Sequence, residues 1–201
     1  TEIGNIPGDI VVLALGVKPN TEFASSIGLE MEKGAIVVDS KMETNIPSIY
    51  AVGDCALVKN MLTGKKCYSA MGSTANITGR ILAKALSGEE EEYKGCLSTA
   101  VIKASSSLNI GRTGLTMEKA QQEGFDPECV SVVVDDKPGY YPGSGNFVIK
   151  LIADRKSLRL LGVQVAGKGN VDKIVDSTVV AIVMGAKLND LDSADFSYAP
   201  P

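Results

Sequence analysis

The 201-residue chain contains no histidine. That excludes Ser-His and Cys-His nucleophile pairs and any imidazole base within it. Proton transfer would have to use tyrosine, lysine, cysteine or a carboxylate. Cysteine is sparse as well: Cys55, Cys67, Cys96 and Cys129 form no CxxC or other metal-ligand spacing. Isolated, reduced thiols in a cytoplasmic protein are the expectation. No lysine/arginine block interrupts a net charge of −4, which argues against nucleic acid or an anionic membrane as a partner. The apolar runs "IVVLAL" (10–15) and "VVAIVMGA" (179–186) fall far short of a membrane span. A GxGxxG turn is missing too, and "GKGN" (167–170) lacks that spacing, so it predicts no phosphate site. The chain opens on Thr1 without a signal-peptide pattern and enters an apolar run almost at once, as expected of a piece of a longer protein.

What is present is enough for a core: 44% hydrophobic and 22% charged residues, in one large domain or two small ones. "DIVVLALGV" (9–17) reads as a strand buried on both faces of a parallel sheet. A short helix follows, capped by Asn20 or Thr21 and ended by Gly28, then a hairpin around Lys33-Gly34 within 29–39. A loop containing Pro47 leads into a strand over Ile49–Val52. Beyond a variable loop, "GSTANITGRILAKALSG" (72–88) has helical spacing, with Ser73 or Thr74 as its cap and Gly88 as its end. "EEEEYKG" then reads as a solvated linker, placing a domain boundary near 94.

After that boundary the periodicity changes to strands over 98–104, 107–114, 129–136, 146–154 and 159–167. Helices are expected over 116–124 and 170–185. The second has Val171, Ile174, Val175, Val179, Ile182 and Val183 on one face, with Asn170 capping and Gly185 closing. The expected fold is a partial α/β domain over 1–93, followed over 94–201 by an α+β domain with an antiparallel sheet and packed helices.

One stretch, "IYAVGDCA" (49–56), ends an apolar run on a glycine and a carboxylate. In an open parallel sheet, ligands sit beyond the carboxyl ends of the strands. There Gly53 would permit close approach, and Asp54 could accept hydrogen bonds from a polyol. The plainer reading is an aspartate closing a turn.

Three segments in order, "LALGVKPNT", "IYAVGD" and "GSTANITGR", resemble the second half of the FAD domain of the flavin-dependent pyridine nucleotide-disulfide oxidoreductases. "TGLTMEKAQQEGF", "YYPGSGNFVIKLIAD", "LLGVQVAGKGNVDKIVD" and "ADFSYAPP" resemble that family's dimerisation domain, so the resemblance covers essentially the whole chain. It implies that Asp54 holds the ribityl chain of FAD, with Gly53 and Gly16 beside the flavin. The amides around Gly72, Ser73 and Thr74 would face the flavin's pyrimidine edge, where a helix amino end favours the charge of a reduced ring. The glutathione reductase branch ends in a histidine-glutamate pair that this chain lacks. Its "SYAPP" end points to the branch of coenzyme A-disulfide reductases, NADH oxidases and persulfide or polysulfide reductases. There, Tyr198 and one of Tyr140 or Tyr141 would serve the partner subunit's active site as phenols, strand-edge packing being the plainer role for the adjacent pair. The resemblance thus implies an FAD-containing homodimer that oxidises NAD(P)H and acts on a small thiol, disulfide or oxygen. Neither the nicotinamide site nor the redox cysteine is on this chain, so the isolated chain is expected to be inactive. A non-enzymatic dimerisation or interaction module is the alternative.

Overall fold

The structure, a computed structural model, describes Gly4 and residues 7–197. Its first sheet has four strands in the order β1-β2-β3-β4: β1 (Met31–Glu32), β2 (Ala35–Val37), β3 (Ala56–Lys59) and β4 (Lys66–Tyr68). β1 and β2 form the expected hairpin, with Lys33 (φ 54°) and Gly34 (φ 79°) both left-handed, as a two-residue primed turn requires. β2 and β3 are parallel, and β3 and β4 antiparallel. The short helix α1 (Glu22–Ser26) ends at Gly28 as read from the sequence. β3 and β4 fall in what the sequence reads as a loop, being too short for a periodic signal. Their connection turns on Asn60, whose side chain accepts from the Leu62 and Thr63 amides.

The predicted strand over 9–17 is not formed. Its residues are exposed, Ile10 by 84% and Leu15 by 91%, because β1 and β4 hold the two edges of the sheet and neither pairs with it. An apolar run becomes a buried strand only where neighbours satisfy its amides and carbonyls. The strand expected over Ile49–Val52 is likewise reduced to an extended segment, with a single bridge from Tyr50 to Glu43.

Helix α2 (Gly72–Leu86) follows β4. Met71, not Ser73 or Thr74, is its N-cap, and no side chain caps it. Gly88 (φ 88°) closes it, with the Gly88 and Glu89 amides donating to the Ala85 and Lys84 carbonyls.

The second sheet is antiparallel, ordered β5-β6-β9-β8-β7: β5 (Ala100–Ser105), β6 (Leu108–Gly114), β7 (Pro127–Asp135), β8 (Asn146–Asp154) and β9 (Leu160–Gly167). All five match the sequence reading. Helix α3 (Met117–Gln122) is capped by Thr116, and α5 (Leu188–Asp192) was not foreseen. Helix α4 (Val171–Val183) covers one sheet face with Val171, Val175 and Ile182, each side chain worth about 2 kcal/mol on burial. Thr178 is buried on that stripe, while Val183 of the expected face is exposed. Asn170 takes the N-cap position without a side-chain bond. A Cβ at Gly111 would lie 2.7 Å from Val175, so glycine is what lets the helix sit down there.

The stretch read as a solvated linker is not one beyond its glutamates. Tyr93 is buried with Met42, Val58 and Ile81. The Cys96 amide donates to the Lys59 carbonyl (2.9 Å), and the Met61 amide donates to the Cys96 carbonyl (3.0 Å). At Gly95 (φ 117°) a Cβ would press on the Met61 amide at 2.8 Å. Leu62 then packs with Leu97, Leu115 and Leu160 in the second core. Nor are the thiols all isolated: this stitch brings the Cys67 and Cys96 sulfurs to 3.2 Å.

Gly114 pairs with Gly162 between β6 and β9, and an added Cβ there would run into the Leu161 carbonyl at a φ of 71°. Gly114→Ala should therefore destabilise the chain by about 2–4 kcal/mol. A fall in the urea unfolding midpoint would register it, and an unchanged midpoint would mean that this strand pair yields easily.

Candidate functional site

The apolar segment 49–52 runs into a 3-10 turn, Gly53–Cys55, before β3 begins. Gly53 has φ 79°, a left-handed conformation that glycine adopts without strain. Its amide donates to the Thr78 hydroxyl at 3.3 Å, and that hydroxyl in turn donates to the Thr74 carbonyl at 2.9 Å. The turn is thereby pinned to the second turn of α2. The Cβ position of Gly53 lies 3.8 Å from the Ala75 methyl, so the two elements touch. Asp54 follows and is exposed.

The amino end of α2 supplies the other half of the site. Met71 is extended (φ −129°, ψ 133°) and no side chain caps the helix, so its first amides, at Gly72, Ser73 and Thr74, have no intrahelical acceptor. Gly72 and Ser73 are exposed, whereas Thr74 is buried. The Thr74 hydroxyl bonds the Ser69 hydroxyl at 2.9 Å, so its side chain holds the loop before the helix. Tyr68, the last residue of β4, was not singled out in the sequence. Partial burial pushes its phenol above the ordinary value, and the nearby Asp54 carboxylate adds to the shift. Only that electrostatic proximity, which a lone sequence does not carry, marks it.

The structure thus brings together Gly53, Asp54, Gly72, Ser73 and Thr74. The turn that carries the Asp54 carboxylate, a group suited to hydroxyls, packs on the same helix whose first amides have no intrahelical acceptor. Gly16 is elsewhere, in the exposed segment 9–17, with nothing within 4 Å of its Cβ position. Tyr140 and Tyr141 lie in the β7–β8 loop, ring centroids 6.2 Å apart, Tyr140 exposed and Tyr141 half-buried. Asp136 closes that loop, its carboxylate accepting from the Gly145 amide at 2.6 Å. The pair is on a loop and not at a strand edge. Tyr198 lies outside the described residues.

Two family models match the chain: pyridine nucleotide-disulphide oxidoreductase over residues 1–75, and the dimerisation domain of the same family over 103–201. The chain belongs to that family. An NAD(P)H sulfur oxidoreductase (CoA-dependent) of Pyrococcus furiosus is 37% identical over all of this chain and 45% of its own length. An NADH oxidase of Methanocaldococcus jannaschii is 36% identical over 96% of this chain and 43% of its own length. Among solved structures, a NAD-dependent persulfide reductase from A. fulgidus superposes with a TM-score of 0.90 at 36% identity, covering 97% of this chain and 36% of that one. The chain therefore spans under half the length of the relatives it matches. The antiparallel second sheet with its helices fits the dimerisation domain of this family. Among the described residues, no helix is long and apolar enough to cross a membrane, and no group of acidic residues and cysteines could hold a metal ion.

Because one hydroxyl pins the Gly53 turn to α2, Thr78→Val should leave the Gly53 amide unpaired. Stability should fall by about 1–2 kcal/mol, and hydrogen exchange at Gly53 should accelerate by a similar free energy. An unchanged exchange rate would show that the turn is held by packing alone.

Proposed function

We propose that this chain supplies part of the FAD site and the homodimer interface of a cytoplasmic, FAD-dependent NAD(P)H oxidoreductase that reduces a disulfide, a persulfide or oxygen. The observation that carries this reading is the Gly53–Asp54 turn seated against the uncapped amino end of α2. The names of the relatives, a sulfur oxidoreductase, an NADH oxidase and a persulfide reductase, support the range of acceptors. Residues 1–93 would belong to the FAD domain and 94–201 to the interface domain, in keeping with family matches that end at 75 and resume at 103.

The residues present fit a flavin. Asp54 would accept hydrogen bonds from ribityl hydroxyls, with glycine at 53 allowing the chain to come close. The amides of Gly72, Ser73 and Thr74 would face the pyrimidine edge and favour the negative charge of the reduced ring. When bound, the flavin supplies two-electron chemistry between a nicotinamide and the acceptor. Gly16 would join the site once segment 9–17 has strand neighbours. Tyr198 and one of Tyr140 or Tyr141 would act as phenolic proton donors in the partner subunit's site, the latter from an exposed loop.

The second face of the antiparallel sheet supports a dimer. Val133, Val148, Ala166, Ile110 and Ile102 are direct cross-strand partners in turn, so they form one apolar row across all five strands. α4 covers the opposite face, while Val133, Val148 and Ile102 are 68%, 50% and 58% exposed. A row of this kind on a domain of the dimerisation family is suited to a second copy. The same row also favours the alternative of an interface module without chemistry.

Two measurements separate these readings. Equilibrium dialysis of the 201-residue chain against FAD should show binding that Asp54→Ala weakens by roughly tenfold or more, the worth of charge-assisted hydrogen bonds. Equal binding by both proteins would remove Asp54 from the flavin site, while none by either would mean that the site needs strand neighbours for segment 9–17, leaving this chain by itself an interface module. In analytical ultracentrifugation the chain should sediment as a dimer and Val148→Lys as a monomer, since a charge in the centre of a buried apolar row is unpaired. A Val148→Lys dimer would move the interface off this face.

A further inference from the structure

The flavin reading makes no use of the thiol pair between the two parts of the chain. Cys67 lies in β4, where it pairs with Val58, and Cys96 lies in the connector, held by its own amide and carbonyl to Lys59 and Met61. Both backbones are thus fixed on either side of the same strand and the turn that follows it, and their sulfurs stand 3.2 Å apart. A disulfide bond is about 2.05 Å long, so closure asks for a shift of about 1 Å, which side-chain rotation supplies. Cys67 is half-buried and Cys96 is 6% exposed, and each lines a cavity. Cys67 lines a cavity of about 490 Å³ with Lys33, Lys66 and Arg112. Cys96 lines another of about 290 Å³ with Ser73, Ser98 and Asp176.

The two thiols are chemically unequal. Cys96 receives a hydrogen bond from the Cys67 thiol and further ones from Ser69 and Ser98, which outweigh burial and bring it down to about 6. Cys67, as the donor of that bond, is pushed up and keeps its proton. The other titratable and charged groups around the pair are Tyr93 of the connector, Lys33 of the β1–β2 turn, Asp176 of α4 across the smaller cavity and, around the larger one, Lys65, Lys66 and Tyr68 at β4, Arg112 of β6, and Lys119 and Glu123 at α3.

We propose that Cys67 and Cys96 form a dithiol site for hydroperoxides, which oxidise the pair to an intramolecular disulfide that clamps β4 to the connector. In the first step the Cys96 thiolate attacks one peroxide oxygen. The O–O bond breaks, hydroxide leaves, and Cys96 becomes a sulfenic acid. In the second, the Cys67 sulfur attacks the Cys96 sulfur, the S–O bond breaks, and the departing hydroxide takes the Cys67 proton as water. Overall the pair gives up two electrons and two protons, and hydrogen peroxide becomes two waters. The bridge would stand directly behind Ser69 and the amino end of α2, so oxidation would stiffen the loop that carries the candidate flavin amides.

The test uses the reduced 201-residue chain and one equivalent of hydrogen peroxide. Intact mass should fall by two hydrogens, two thiols should be lost, and non-reducing peptide mapping should join the Cys67 peptide to the Cys96 peptide. Cys67→Ser should stop at a Cys96 sulfenic acid that dimedone traps, and Cys96→Ser should lose the fast reaction. The rate for the wild-type chain should rise through pH 6 and level off above it, because the thiolate fraction does. At pH 7 it should exceed that of the exposed Cys129 by roughly tenfold. Loss of all four thiols at a common rate, linkage between chains in place of within them, or a rate still climbing steeply above pH 8 would overturn the proposal.

Discussion

The contact on which the remainder of the structure depends is a pair of backbone hydrogen bonds. Lys59 and Met61, on either side of Asn60, are bonded to Cys96, and Gly95 makes room for that approach. Through this stitch Leu62 reaches the core beneath the second sheet, and Tyr93 is driven into the core of the first. The ion pair from Lys65 to Glu123 (2.7 Å) follows from the same arrangement, although with the lysine mostly in water it adds little on its own. The two lysines beside Glu123, Lys65 and Lys119, hold its carboxyl below the usual range. What reads as two domains with a charged tether is therefore joined by backbone geometry, and both the candidate flavin turn and the thiol pair sit within one strand of the join.

Legibility differed sharply between the two halves, for a physical reason. In the second half each strand's hydrogen-bonding neighbours are on the chain itself, so the alternation in "NFVIKLIAD" or "RLLGVQVAG" translates directly into β8 and β9. In the first half "DIVVLALGV" carries a strong strand signal but has no partner, so its side chains stand in solvent. Local pattern sets what a segment prefers, while the ladder decides whether it forms. Helix ends behaved in the same way. Gly28, Gly88 and Gly185 close their helices because a left-handed residue is a local requirement. The amino ends were misjudged at Ser73 and Thr74, because Ser69 engages the Thr74 hydroxyl from outside the helix.

The candidate site was legible as residue types and not as an assembly. Gly53, Asp54 and the start of α2 were named from spacing and resemblance, but the Thr78 hydroxyl that fastens them was hidden, since a threonine at the seventh position of a helix looks like ordinary filling. Tyr68 was hidden behind a strand too short to recognise. The thiol pair was invisible for a deeper reason: Cys67 and Cys96 are brought together by a bridge between Asn60 and Cys96 that no periodicity announces.

The strand order β5-β6-β9-β8-β7 also imposes a sequence of events on assembly. β7–β8 and β8–β9 are consecutive hairpins, closed by loops over 136–145 and 155–159. β6 instead pairs with β9 around the whole of α3, β7 and β8, joining Asn109 to Gly167. Loop-closure entropy makes that pairing the later one, and it must wait for a β9 already aligned on β8. The glycine pair at its far end, Gly114 against Gly162, then acts as a register gauge: slipped by one residue, β6 would set side chains where only bare backbone fits, and the sheet would fail to close.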